Sequence, residues 1–247
     1  MKSRVYIADV SPLLDSELYS RLLSQVPEYR QNKSRRFKFQ SGRAQSLAAG
    51  LLLRRACEDF QIPGADANVV LGENGKPEFA EAFFENGTIS KVHFNLSHSH
   101  ERAMCIMSPH EVGCDVEQVG NDRSSIAEKF FLPAENRWIQ AAGSTCDGLM
   151  HDNDESTNNA RDVAFYRLWT LKECYMKVTG LGLSLSPDKF SLEIKNGDCI
   201  LLHHEKCRSE YVFREFDFDD GYRYAYCLRN AEPNECAEVV KVDLRLI

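Results

Sequence analysis

The chain has 247 residues, of which 43% are hydrophobic and 27% charged, and its formal net charge is −7. This composition is typical of a soluble globular protein, and the length suits one large domain or two small ones. The negative charge gives no overall field that attracts nucleic acid or an anionic membrane, so we expect neither as a partner. The nine cysteines are odd in number and form no CxxC pair, and no apolar run has membrane-spanning length. We therefore expect a cytoplasmic protein with reduced thiols.

In the first half of the chain, the spacing of apolar residues predicts alternating strands and helices. The predicted elements are a strand at 4–10, helices at 13–26 and 46–60, and strands at 92–96, 103–107 and 112–117. Asn74-Gly75 predicts a tight turn. The segment between the two helices is strongly basic, and it contains Lys33, Arg35, Arg36, Lys38 and Arg43.

In the second half, a similar mixture of elements follows. The predicted elements are helices at 126–131, 134–142 and 163–178 and strands at 190–194, 199–203, 211–216, 222–228 and 239–244. The polar segment 144–161 has few large apolar residues, and we expect it to form a loop. Because both halves mix strands with helices, the sequence predicts an α+β fold with two lobes that meet near residue 110.

Two carboxylates lie two residues apart in the strand predicted at 112–117. Side chains of a strand alternate between its faces, so Asp115 and Glu117 share the face opposite Cys114 and Val116. Two like charges side by side repel each other. Either water covers this face, or a cation lies between the carboxylates.

The helix predicted at 163–178 presents Trp169, Glu173 and Lys177 on one face, at i, i+4 and i+8. An exposed Glu173–Lys177 ion pair explains the two charges without any function. A stripe that only faces solvent seldom includes tryptophan, however, so Trp169 favours a site on this face.

Hydroxyl and imidazole groups are concentrated at residues 94–100, FNLSHSH. Ser97, His98 and Ser99 together with backbone amides suit a phosphate, whereas the histidine spacing lacks the signature of a zinc site. A capped turn with surface histidines explains the pattern equally well. In GKPEF at 75–79, Lys76 is a further candidate for an anion contact.

These candidates suit one chemistry. Asp115, Glu117 and Glu173 provide the hard oxygen ligands that Mg²⁺ prefers, and Mg²⁺ commonly shares its ligands with phosphates. The basic candidates for phosphate contacts are Lys33, Arg36, Arg43, Lys76, His98 and Lys177. The sequence thus predicts a magnesium-bound pyrophosphate between Asp115 and Glu117.

Four sequence motifs together resemble those of a known enzyme family. GKPEF, FNLSHS, GCDVE and WTLKECYMK follow one another in the order and spacing of 4′-phosphopantetheinyl transferases of the surfactin-synthetase-activating (Sfp) type, and the similarity spans residues 30 to about 192. The resemblance implies a pseudo-twofold monomer of two similar α/β lobes, at 1–110 and 111–247, with the active site in the cleft between them. It implies transfer of 4′-phosphopantetheine from coenzyme A to a serine of an apo acyl or peptidyl carrier protein, releasing adenosine 3′,5′-bisphosphate.

The resemblance also implies roles for single residues. Asp115, Glu117 and Glu173 match the ligands of Mg²⁺, for which Mn²⁺ is an alternative, and Glu173 matches a general base. Lys177 matches the lysine that stabilises the leaving group. The remaining matches are contacts to coenzyme A, and they comprise Lys33, Arg43, Lys76, Pro77, Ser97 and His98. An apolar stretch at 126–138 could contact the carrier protein, with core packing as its alternative.

Two other functions compete with the transferase. A non-catalytic protein that binds coenzyme A or a nucleotide would be favoured by loss of a carboxylate or of Lys177, yet all of these residues are present. A Mg²⁺-dependent pyrophosphate hydrolase of the Nudix kind needs a helix dense in glutamate, which WTLKECYMK does not supply.

Overall fold

The computed structural model describes residues 1–80, 83–85, 88–120, 123–142, 155–195, 199–205 and 210–247. The helices are α1 (Ser16–Leu23), α2 (Glu28–Arg35), α3 (Gln40–Asp59), α4 (Ser124–Phe130), α5 (Pro133–Ala141) and α6 (Glu155–Thr179). The strands are β1 (Arg4–Asp9), β2 (Val69–Leu71), β3 (Pro77–Phe79), β4 (Phe83–Glu85), β5 (Thr88–Ser90), β6 (His93–Ser99), β7 (Arg102–Ser108), β8 (Val112–Gln118), β9 (Ser191–Lys195), β10 (Cys199–His203), β11 (Tyr211–Phe216), β12 (Tyr222–Arg229) and β13 (Glu238–Val242).

The longer strands form two sheets. One sheet has the order β13-β1-β7-β6, in which β13 runs parallel to β1 and the other pairs are antiparallel. The other has the order β11-β12-β8 and is antiparallel throughout. The shorter strands pair as β2–β3, β4–β5 and β9–β10. Because β13 pairs with β1, the end of the chain lies in the same sheet as its beginning.

The two sheets pack against each other, and each carries helices on its outer face. On β1, Val5 and Ile7 belong to the core between the sheets, whereas Tyr6 and Ala8 belong to the core under α1 and α3. The outer face of the second sheet packs under α5 and α6. This alternation of side chains gives four layers in the order helix, sheet, sheet, helix.

The close approach of α6 to β8 depends on Gly113. A Cβ atom at this position would lie 2.2 Å from the carbonyl oxygen of Cys174 and 2.6 Å from the amide nitrogen of Val178, both in the backbone of α6. Any side chain would therefore separate the helix from the strand. Gly113 shares a face of β8 with Asp115 and Glu117, so this face of the strand is the one that meets α6.

Most predicted elements are confirmed, with bounds that differ by a few residues. The turn at Asn74-Gly75 joins β2 to β3, and Gly75 has a φ of 81°. The sequence missed α2 and began α3 too late, at residue 46 instead of Gln40. Helix α2 and the first residues of α3 are strongly polar, so the spacing of apolar residues does not predict a helix there.

The predicted loop at 144–161 is only partly testable. Positions 155–161 are wrong as loop, since α6 begins at Glu155. A helix with a well-packed body extends into polar flanks because each added residue gains a hydrogen bond without a new nucleation cost. Positions 144–154 lie outside the described residues.

The cysteines are consistent with the expectation of reduced thiols. Cys57, Cys105, Cys114, Cys174, Cys227 and Cys236 are free, and all except Cys236 are buried. Within the described segments, no helix has both the length and the apolar character needed to cross a membrane.

Gly113→Ala should destabilise the protein by about 1–3 kcal/mol or more, because the new methyl group meets backbone atoms that cannot rotate away. Gly42→Ala is the control. There the new Cβ would lie 2.8 Å from Cδ1 of Phe37, a partly exposed ring that can move, and alanine improves helix propensity. Urea denaturation of both variants checks the expectation. Equal stability of the two variants would contradict the close-approach argument.

Candidate active site

A cavity of about 430 Å³ lies where α6 faces β6, β8 and the first helical layer. Its lining comprises Arg30, Lys33, Ser46, Ala49, Gly75, Pro77, Phe94, Asn95, Leu96, Ser97, His98, Asp115, Glu117, Trp169, Glu173 and Lys177. The carboxylates predicted as metal ligands therefore share one cavity with Lys177 and with part of the basic segment.

Lys177 is the cation beside Asp115. Its Nζ atom lies 2.6 Å from Oδ1 of Asp115, and it also donates to Oγ of Ser97 and the carbonyl oxygen of Cys114, at 3.1 Å each. Asp115 is only 3% exposed, so water does not cover this face. Because Lys177 reaches across to β8, the surface ion pair with Glu173 is not the arrangement in the structure.

The charged forms of Glu117 and Glu173 are disfavoured in the cavity. Burial, and after it the nearby charge of Asp115, raise the pKa of Glu117 to about 7. Burial and then Asp115 likewise raise the pKa of Glu173. Burial lowers the pKa of Lys177, but the charges of Asp115 and Glu173 and the hydrogen bond to Asp115 act with the nearby Cys114 to outweigh it, so this pKa is raised above its ordinary value. Beside Lys177, the cavity therefore holds more carboxylate groups than this one lysine balances.

The donor set fits a divalent cation. Oδ2 of Asp115 is buried and has no hydrogen-bond partner among the described residues, although a buried carboxylate oxygen normally has one. Three carboxylates that line one cavity match the oxygen ligands that Mg²⁺ takes in proteins. Within the described ranges, however, no three His, Cys, Asp or Glu side chains are grouped closely enough to hold a metal ion, so the three carboxylates share the cavity without forming a metal-binding cluster in this arrangement.

The part of the cavity lined by α2 and α3 is basic and contains two polar groups that lack partners among the described residues. Arg30 is 3% exposed and Ser46 is 2% exposed. In the described part of the chain, neither Nε of Arg30 nor Oγ of Ser46 has a hydrogen-bond partner. Lys33 and His98 line the same cavity with exposed side chains. Buried donors without a protein partner, beside further cations, fit an anion such as phosphate.

Gly50 makes room for Arg30. A Cβ atom at Gly50 would lie 2.6 Å from Cγ of Arg30, so the arginine stem packs directly against α3. The sequence analysis missed Arg30 and Ser46. Helical spacing could have found them, since Arg30 and Lys33 lie at i and i+3 on α2, and Ser46 and Ala49 do so on α3.

Two predicted contact residues do not line this cavity. Nε of Arg43 donates to the carbonyl oxygen of Phe37 at 2.8 Å. Nζ of Lys76 donates to the carbonyl oxygens of Val112 and Val178, at 3.1 and 3.3 Å, and Lys76 lines a neighbouring cavity of about 290 Å³. Pro77 lines both cavities. Arg36, a further basic candidate, is also not part of the larger cavity's lining.

Trp169 forms an aromatic wall of the cavity. Its ring stacks on Phe165, with centroids 5.9 Å apart, and meets Phe130 edge-on at 6.1 Å. Phe131 is buried, and Phe130 and Trp138 pack against the same core. Core packing, the alternative to a carrier-binding patch at 126–138, thus accounts for these three aromatic rings.

Two family models match adjoining parts of the chain. The model "4'-phosphopantetheinyl transferase, N-terminal" matches residues 14–110, and the model "4'-phosphopantetheinyl transferase superfamily" matches residues 111–227. The boundary between them falls in the turn before β8.

Curated relatives match over most of the chain. A 4′-phosphopantetheinyl transferase of Bacillus subtilis is 28% identical, and 4′-phosphopantetheinyl transferase Sfp of Bacillus subtilis (strain 168) is 27% identical; each match covers 87% of both chains. The enzyme gsp of Aneurinibacillus migulanus is 27% identical over 87% of this chain and 81% of its own length.

A solved structure overlaps only in part. The holo-[acyl-carrier-protein] synthase of Thermotoga maritima gives a TM-score of 0.36 at 20% identity, covering 49% of this chain and 64% of that one. The adjoining family models and the full-length relatives are the findings that assign the family. This chain belongs to the 4′-phosphopantetheinyl transferases and is similar to those of the Sfp type.

Proposed function

We propose that this protein transfers 4′-phosphopantetheine from coenzyme A to a serine hydroxyl of an apo acyl or peptidyl carrier protein, with Mg²⁺ as its metal. The observation that carries the proposal is one cavity that brings three carboxylates and Lys177 together with Lys33, His98 and the unpartnered polar atoms of Arg30 and Ser46. Such a cavity suits a substrate with a pyrophosphate and a separate phosphate, and coenzyme A has both.

In this proposal, the pyrophosphate lies beside Asp115, Glu173 and Lys177. The separate phosphate on the ribose lies in the basic part, where Arg30 and Ser46 donate hydrogen bonds to it and Lys33 and His98 add positive charge. Ser97 lines the same cavity from β6. Lys76 and Pro77 form the wall beside the adenine, and Arg43 supports the basic segment from outside the cavity.

The reaction joins the serine oxygen to the phosphorus that carries phosphopantetheine and breaks the bond from that phosphorus to the bridging oxygen. Adenosine 3′,5′-bisphosphate leaves with the electron pair of this bond. Glu173 receives the serine proton, directly or through a water molecule. Lys177 stabilises the negative charge that develops on the leaving oxygen.

Asp115, Glu117 and Glu173 would hold the metal. When bound, Mg²⁺ (or Mn²⁺) supplies positive charge that polarises the phosphates and stabilises the leaving group. The unpartnered Oδ2 of Asp115 and the raised pKa values of both glutamates support this assignment.

We further propose that the protein is a cytoplasmic monomer. Its two lobes, 1–110 and 111–247, are related by a pseudo-twofold axis, and the site lies between them. The mirrored helix–sheet–sheet–helix layers support this arrangement. The return of β13 to the sheet of β1 is a departure from simple symmetry.

The Glu173→Gln variant tests the transferase. Wild-type protein with coenzyme A, Mg²⁺ and an apo carrier protein should add the mass of one phosphopantetheine to the carrier, as measured by intact-mass spectrometry. Replacing the proposed base should lower the rate by roughly 10²–10⁴-fold, and EDTA should abolish transfer. Glu58→Gln, at an exposed ion pair with Arg54, is the control and should keep the wild-type rate.

Failure of wild-type transfer to several unrelated carriers, despite measurable coenzyme A binding, would favour a non-catalytic binding protein of the same fold.

The pKa of Glu117 predicts a pH dependence of the metal-free protein. This pKa rises from 4.5 to about 7 on folding, so between these values the folded state holds a proton that the unfolded chain has lost. Stability therefore falls as pH rises through this window and levels off above it. Urea denaturation in EDTA at several pH values should show this fall, and Glu117→Gln should flatten it. A wild-type profile that matches the variant would contradict the assignment.

Arg30→Met tests the basic part of the cavity. The variant keeps the stem that packs on Gly50 but removes the guanidinium, so KM for coenzyme A should rise roughly 10–100-fold with a smaller change in kcat. Arg55→Gln is the control, because Arg55 is exposed and pairs with Asp59 on the same helix, α3. An unchanged KM in Arg30→Met would rule out this anion contact.

A further inference from the structure

Side chains of β6 connect to backbone amides of β8 at three successive points. The amide of Cys114 donates to Oδ1 of Asn95 at 2.9 Å, and the amide of Val116 donates to Oγ of Ser97 at 3.4 Å. The amide of Gln118 donates to Oγ of Ser99 at 3.2 Å. Each bond joins residues 19 apart, so the two strands lie side by side and parallel, in a fixed register.

This polar ladder, formed by Asn95, Ser97 and Ser99, covers an open sheet edge. β8 and β6 are edge strands of different sheets, since β8 pairs with β12 and β6 pairs with β7. An edge strand presents backbone amides without a sheet partner. Side chains of β6 reach these amides, and a side chain between two backbones keeps them farther apart than a normal sheet does. Residues of both strands, Asn95 and Ser97 on β6 and Asp115 and Glu117 on β8, line the cavity.

The two serines differ from Asn95 in what else they do. Oγ of Ser99 donates to Oε2 of Glu117 at 2.8 Å while it accepts from Gln118. Oγ of Ser97 donates to Oδ1 of Asp115 at 2.7 Å while it accepts from Val116. A hydroxyl is both donor and acceptor, so serine can cap an amide and hold a carboxylate at once.

We infer that Ser99 is a positioning residue, which fixes the carboxylate of Glu117 for metal binding through the hydroxyl that also caps β8. The inference rests on the metal assignment in the proposed function. Ser99 is 7% exposed, so its hydroxyl has little competition from water. Groups that hydrogen-bond to metal ligands typically change metal affinity 10–100-fold when removed. The sequence suggested Ser99 as a phosphate contact, whereas its described bonds go to Glu117, Gln118 and His100.

The test is a Mn²⁺ titration of the protein alone, in which the electron paramagnetic resonance signal of free Mn²⁺ reports binding. Ser99→Ala should bind Mn²⁺ roughly 10–100-fold more weakly than wild type. Ser99→Thr keeps the hydroxyl and should recover most of this affinity. Melting temperatures, measured beside each titration, show how far each variant is destabilised.

Asn95→Ala is the matched control. It removes the cap of Cys114, as Ser99→Ala removes the cap of Gln118, but Asn95 makes no described hydrogen bond to a carboxylate. It should lower the melting temperature and leave Mn²⁺ affinity near the wild-type value. Equal Mn²⁺ affinity in Ser99→Ala and Asn95→Ala would overturn the positioning role.

The Asp115→Asn variant tests the metal assignment independently of the role of Ser99. Loss of Mn²⁺ binding in this variant supports the metal assignment whatever Ser99 does. A wild-type protein that does not bind Mn²⁺ would overturn the metal assignment and the role of Ser99 together.

Discussion

The direct contact between the backbones of α6 and β8 at Gly113 is the constraint on which the site depends. No side chain separates the helix from the strand there, so Lys177, which belongs to this contact between Cys174 and Val178, can reach Asp115 on the same face of β8. A helix held one side-chain layer farther away would place Lys177 and Glu173 beyond reach of the strand. Glycine at position 113, in place of a larger residue, therefore allows the carboxylates of β8 and the lysine of α6 to form one site.

Two lysines on α6, Lys172 and Lys177, form ion pairs that differ in how completely the partner carboxylate is hydrogen-bonded. Nζ of Lys172 lies 2.9 Å from Oε2 of Glu135 and donates to the carbonyl oxygens of Pro187 and Phe190, while both oxygens of Glu135 accept backbone amides. This pair is complete. Lys177 and Asp115 are incomplete, because Oδ2 of Asp115 has no partner among the described residues and two further carboxylates line the same cavity. An unpaired buried carboxylate oxygen costs free energy, so the second arrangement leaves an acceptor for a further donor or cation and the first does not.

The sequence predicts features that depend on one helix or strand, and it misses features that depend on how distant elements pack. Strand alternation placed Asp115 and Glu117 on one face, and helical spacing placed Trp169, Glu173 and Lys177 on another; these local patterns need only one element each. The contact between Lys177 and Asp115, 62 residues apart in the chain, depends on how α6 packs, which no local pattern encodes. Arg30 was missed because α2 is almost wholly polar and gives no apolar periodicity. The sequence predicted Ser97 and Ser99 as phosphate contacts. Their hydrogen bonds to β8 could not be predicted, because they depend on the register between two sheets.

The cavity itself follows from how the two sheets meet. A continuous sheet through β6 and β8 would satisfy their edges with backbone hydrogen bonds and leave no space between the strands. Here polar side chains of β6 take that part, so the edges separate and open a gap that residues of both helical layers can reach. Arg30 and Ser46 enter it from one side and Glu173 and Lys177 from the other. The charged groups that line this gap therefore come from opposite layers and from both halves of the chain, so neither half forms the cavity alone.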